Sequence, residues 1–197
     1  MTPVTTEVEA ADKPLRADAQ RNYDKLIAAA RQAFRERGSE ASLDDIAKRA
    51  GVGPGTLYRH FPTRDALIDA VMKDWADSVQ SDANSVVEAD LPGREALTVW
   101  FEHFIGHMSL YRGAAQKFVA CMDDPTTPIY RKCQILSAAN DSVLTHVAKT
   151  GVLREGVESR QVMRMVSGVA SVIDQASMSQ DDAKPMLDII LNGITRP

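Results

Sequence analysis

The sequence predicts an all-α protein, and three observations carry that prediction. Apolar residues recur three and four positions apart in stretch after stretch from Leu26 to Ile194. No stretch shows a convincing strand pattern, and there is no internal repeat or low-complexity tract. Residues 42–61, SLDDIAKRAGVGPGTLYRHF, read as two short helices around a glycine-containing turn.

Residues 1–17 (MTPVTTEVEAADKPLRA) lack periodicity and read as a flexible arm, with Arg16 and Arg21 near the phosphates of any bound nucleic acid. A first helix is expected over 18–37, burying Leu26, Ile27, Ala30, Ala33 and Phe34 and stopping at Gly38. Ser42 suits an N-cap, with Asp45 three residues on as an acidic variant of a capping box. Leu43, Ile46, Ala47 and Ala50 then form one apolar face of a short helix. Gly51 supplies the positive φ of a tight exit, and Val52 plugs the space beneath it. Gly53 is tolerated as the next N-cap and Pro54 suits a first helical position. The second helix buries Leu57 and Phe61, leaving Gly55, Thr56, Tyr58, Arg59 and His60 outward. Such a pair predicts a helix-turn-helix whose second helix enters the DNA major groove.

The run GVGPGTLYRHFPTRDAL at 51–67, within a match over roughly residues 19–68, resembles the TetR family of bacterial transcriptional regulators. Gly53-Pro54 departs from the family, many of whose members have a Ser-Lys-like pair there. A polar cap and one basic group near DNA are therefore absent. The resemblance implies phosphate contacts from Tyr58 and His60, with Gly55 and Thr56 closest to the base edges. Arg59 is suited to guanine or phosphate. Ser42 and Arg64 stand at helix starts, where free N–H groups and positive charge favour phosphate.

Thr63 is the expected N-cap of a long helix through Ser81, with Leu67, Ile68, Val71, Met72, Trp75 and Val79 apolar. This helix joins head to body and is the candidate lever. Residues 82–93 read as a polar linker. Further helices are expected from Arg94 to a break at Tyr111–Gly113, over 114–122, 129–149, 157–178 and 181–194, with Asp123–Pro128 as a loop. The expected domains are the arm 1–17, a three-helix DNA-binding head 18–65, and a helical ligand-binding and dimerisation body 66–197.

An apolar fraction of 44% and a charged fraction of 25% are those of a soluble globular chain. No apolar run reaches the roughly 18 residues of a membrane span, and no secretion signal opens the sequence, so a cytoplasmic protein is expected. The net charge of −4 is unevenly spread. Residues 14–64 hold 10 Lys/Arg against 6 Asp/Glu, whereas residues 65–197 hold 12 against 18. A basic head on an acidic body suits DNA at one end only. Cys121 and Cys133 lack metal-like spacing and read as reduced core cysteines, with a redox pair as the alternative.

Trp100, Phe104, His107, Met108, Tyr111, Phe118, Met122 and Tyr130 are candidates to line a cavity for a small hydrophobic or aromatic effector, an expectation strengthened by the resemblance. His103 and His107 stand four apart, without HExxH or a third ligand in view, and read as pocket or core histidines. No metal, cofactor or catalytic residue is expected. The last two helices have more apolar surface than one buried stripe needs, which predicts a homodimer. The resulting expectation is a TetR-like regulator, a repressor, on a palindromic double-stranded DNA operator, released by its effector. The alternatives are an α-helical protein-interaction module and a metal-dependent enzyme using His103 and His107.

Overall fold

The computed structural model of the protein describes residues 8–127 and 129–197; the expected contact from Arg16 lies outside the described side chains. Among these residues there are ten α-helices and two short 3-10 turns, with one isolated antiparallel bridge, Leu153 to Thr195, and no strand. The chain forms two compact units, one ending at Val71 and the other running from Met72 to Pro197. The expected boundary after residue 65 therefore falls six residues early.

The first unit holds α1 (Val8–Arg37), α2 (Leu43–Arg49), α3 (Pro54–His60) and α4 (Arg64–Val71). Residues 8–17, expected in the arm, are helical instead. Three of these ten residues are Ala, and Glu9, Lys13, Leu15 and Arg16 are also good helix formers, a propensity that needs no apolar stripe and here outweighs Pro14. Leu26, Ala30, Ala33 and Phe34 of α1 pack in a core with Ile46, Ala47, Leu57, Phe61, Leu67 and Val71. Gly38 and Gly51 take φ of +67° and +68°, which a side chain would resist. At the second of these turns the N–H of Val52 donates to the Ala47 carbonyl (3.0 Å) and that of Gly51 to the Lys48 carbonyl (3.1 Å). This paired pattern closes α2. Ser42 Oγ accepts from the Asp45 N–H at its start (3.4 Å), and Thr63 Oγ1 accepts from the Ala66 N–H at the start of α4 (3.1 Å).

The second unit holds α5 (Lys73–Glu88), α6 (Gly93–Ser109), α7 (Ala114–Cys121), α8 (Tyr130–Ala148), α9 (Ser159–Gln175) and α10 (Lys184–Ile194). The expected single helix over 63–81 is two helices, separated at Met72. The expected linker 82–93 is mostly α5. Ala83 and Val86 continue the buried stripe of Trp75 and Val79, while Asn84 and Ser85 face water and mask it in the sequence. Trp100, Phe101 and Phe104 of α6 are fully buried at the centre, against α5, α8, α9 and α10. Trp100 meets Phe104 edge-on (6.3 Å), and Phe104 meets Phe118 likewise (6.0 Å). A Cβ on Gly93 would stand 2.6 Å from Thr150 Oγ1 and 2.7 Å from Val152 Cγ1, so α6 begins where no side chain fits. Arg94 and Arg154 donate to Thr195 and Asn192, tying down the end of the body.

Cys121 and Cys133 are joined in a disulfide, contrary to the expectation of reduced core cysteines. The fold brings the end of α7 beside the start of α8, a proximity that their spacing does not reveal. Among the described residues no helix is long and apolar enough to cross a membrane.

Candidate nucleic-acid interface

The outward side of α3 is assembled by the turn before it and by the core beneath it. Leu57 is buried and anchors the helix. Gly53, Pro54, Gly55, Tyr58 and Arg59 are exposed, Tyr58 at 48%, and Thr56 and His60 are half-buried. Neither Gly53 nor Gly55 needs a positive φ, and a Cβ at either would meet nothing within 4 Å. Nothing inside the head therefore requires glycine at these positions. The result is a short helix that starts with a nearly bare backbone, rimmed by phenol, guanidinium and imidazole groups.

Two expected contacts have structural duties as well. The Arg64 guanidinium donates to the Ala41 carbonyl (2.7 Å), fastening α4 to the entry of α2. Ser42 caps α2 and is exposed, so its hydroxyl proton is still available to donate. His60 is held by Tyr23, whose ring centroid lies 6.1 Å away, edge-on, and by Phe61 at 6.2 Å. Sequence reasoning missed Tyr23, although it stands three residues before Leu26 on the buried stripe of α1.

Ion pairs brace α1 against α2: Arg37 with Asp45 (2.7 Å) and Arg49 with Glu36 (2.8 Å). The Arg49 hydrogen bond holds the Glu36 carboxyl below its ordinary pKa, and Glu36 in turn raises that of Arg49. Both pairs are exposed and serve orientation more than stability.

In the body, the eight candidate effector residues separate into two groups. Trp100, Phe104, Phe118 and Met108 pack in the core, His107 is buried, and Tyr111 is half-buried in the turn after α6. Met122 and Tyr130 instead line a half-open cleft of about 340 Å³ between α7, α8 and α9. Its other walls are Asp123, Gln134, Ser137, Asp141, Arg160 and Met163. Arg160 pairs with Asp123 and donates to the Met122 carbonyl (3.1 Å), and Arg164 also pairs with Asp123. A hydrogen-bond chain leads from core to rim. The Trp100 indole donates to Asn140 Oδ1 (2.9 Å), Asn140 Nδ2 donates to Ser159 Oγ (2.8 Å), and Ser159 Oγ donates to Asp141. Asp123, Gln134, Ser137, Asp141 and Arg160 were not legible as a set, because they are dispersed over some forty residues of sequence.

The structure also supplies a carboxylate for the histidine pair. Asp82 of α5 lies 2.9 Å from His107 Nε2 and 4.0 Å from His103 Nδ1. Burial lowers the His107 pKa, with Asp82 opposing that shift. Among the described residues no three His, Cys, Asp or Glu side chains form a group that could hold a metal ion.

Comparison with known proteins accords with this architecture. Residues 26–71 match the model described as bacterial regulatory proteins, tetR family, and residues 92–196 match the SbtR-like transcriptional regulator C-terminal domain. The regulator UidR of Escherichia coli is 39% identical over 59 residues, which is 29% of this chain and only 30% of that protein. The repressor KstR2 of Rhodococcus jostii is 25% identical over 189 residues, covering 88% of this chain and 91% of that one. The crystal structure of the TetR regulator SCO0520 from Streptomyces coelicolor superposes with a TM-score of 0.59 at 33% identity, over 87% of this chain and 97% of that one. With the second family model spanning more than half of the sequence and SCO0520 matched almost end to end, the chain belongs to the TetR family of transcriptional regulators.

Proposed function

We propose that this regulator is a repressor that binds a palindromic DNA operator as a homodimer and is released by a small molecule bound in its body. The observation that carries the DNA reading is the exposed side of α3, with two glycines the fold does not need and a rim of Tyr58, Arg59 and His60. Such a surface admits close approach, with phosphate contacts at its edge. The pairing surface is the outward side of α9 and α10, where Met165, Val172 and Ile189 are 50%, 48% and 72% exposed. Two heads about one DNA turn apart, or a multiple of it, would follow. Such a regulator acts in the cytoplasm, beside the chromosome.

The cleft between α7, α8 and α9 is the proposed effector site. Its polar walls with thioethers at Met122 and Met163 favour a compound of mixed character over the purely hydrophobic or aromatic one that the sequence suggests. Effector and operator would weaken each other reciprocally, with a typical coupling of about 1–3 kcal/mol.

Selection of bound fragments from random duplex DNA by the purified protein tests this. A symmetric site is expected, with affinity falling as salt rises at a log–log slope of roughly 0.9 per neutralised phosphate. A monomer with no preference among duplexes would overturn it.

A further inference from the structure

Cys121 and Cys133 stand at the ends of the loop that walls the cleft. Cys121 closes α7 and is followed directly by Met122 and Asp123; Cys133 lies in the first turn of α8, between Tyr130 and Gln134. All four of those neighbours line the cleft. The loop is thus pinned on two sides. Arg160 and Arg164 of α9 hold Asp123, and the disulfide holds the α7 end to α8.

We infer that this pair is an oxidisable dithiol that latches the effector cleft. Disulfides of proteins that work beside the chromosome are mostly transient and redox-responsive rather than permanent. An acceptor for the Cys121 S–H of the reduced form is already within reach, since Cys121 Sγ lies 3.1 Å from the Phe118 carbonyl oxygen. Both cysteines are buried, at 1% and 2% exposure, so either reaction requires the loop to open locally. That makes the pair a slow latch rather than a fast sensor.

The oxidant is a hydroperoxide. One thiolate attacks its outer oxygen, the O–O bond breaks, and an alcohol or water leaves as a sulfenic acid forms. The second thiol then attacks that sulfur, the S–O bond breaks, water departs and the S–S bond forms. Two electrons pass from the sulfurs to the peroxide. A small dithiol reverses the step by exchange and is itself oxidised.

The regulatory part of this inference rests on the operator reading proposed above, so the test has two readouts. Full-length protein is prepared reduced with dithiothreitol and oxidised with hydrogen peroxide, and thiols are counted by alkylation and intact mass. Hydrogen exchange is then followed over residues 122–132 and 42–61, together with affinity for the selected duplex. Reduction is expected to raise exchange in 122–132 at least tenfold, leave 42–61 unchanged, and alter duplex affinity at least threefold. Cys121→Ser and Cys133→Ser should exchange like the reduced parent with or without peroxide; the parent comparison needs neither variant to fold. The latch is overturned if peroxide leaves both thiols free in the folded protein, or if the two forms exchange alike. Equal duplex affinity of the two forms overturns the regulatory role. If neither form binds any duplex while the exchange difference persists, the latch stands and the operator reading falls.

Discussion

Replacing Gly55 by Ala separates what the head needs from what its partner needs. Gly55 is the second residue of α3, with no positive φ and open space within 4 Å of a built Cβ. A helical glycine costs roughly 0.5–1 kcal/mol relative to alanine, much of it through the freedom of the unfolded chain. Gly55→Ala should therefore stabilise the head by up to that amount, the lower end being expected so near the helix start. On DNA the same methyl would occupy space reserved for close approach. An overpacked contact costs about 1–3 kcal/mol, which is roughly a 5- to 140-fold loss of operator affinity. Hydrogen exchange of the α2 and α3 amides reads the first effect, and fluorescence anisotropy with the selected duplex reads the second. The salt slope should not change, because no charge is removed. Unchanged affinity in a more protected head would refute the close approach; a less protected head would refute the claim of open space.

Tyr58→Ala and His60→Ala should weaken binding to specific and random duplexes alike while sedimentation still shows a dimer; parental affinity in both would remove them from the interface. Gly93→Ala should destabilise the body by about 1–3 kcal/mol, seen as a lower urea midpoint, since its methyl would strike Thr150 and Val152. Because burial holds the folded His107 pKa below its ordinary 6.5, the unfolded chain binds more protons as pH drops through that value. Stability is then present above about pH 6.5 and is lost on acidification. His107→Gln should flatten the urea midpoint between about pH 5 and 7, and an unaltered profile would show that His107 does not titrate there.

The helices were legible wherever one apolar stripe meets the core, as at Leu26–Phe34 and Leu57–Phe61. They were obscured where polar residues interrupt the pattern: Asn84 and Ser85 hide Ala83 and Val86, so the second half of α5 looked like a linker. The outward side of α3 could be read because its residues are consecutive, from Gly55 to His60. The cleft could not, since its lining is gathered from residues 122–163, on α8, α9 and the segment that follows α7. Trp100 and Phe104 were assigned to a cavity because an aromatic at helical spacing looks the same in a core as in a pocket. Only the fold shows Asn140 taking the indole proton of Trp100, which marks that ring as a packed core element. Cysteine pairing likewise depended on where α7 ends.

That indole proton has a practical use. The chain has two tryptophans, and one of them, Trp100, is wired through Asn140 and Ser159 to the acidic lip at Asp141. With Trp75 replaced by phenylalanine, the emission colour of the remaining fluorophore becomes a built-in reporter of whatever settles on that lip. Compound libraries could then be screened by eyeing a spectral shift, before any promoter is known.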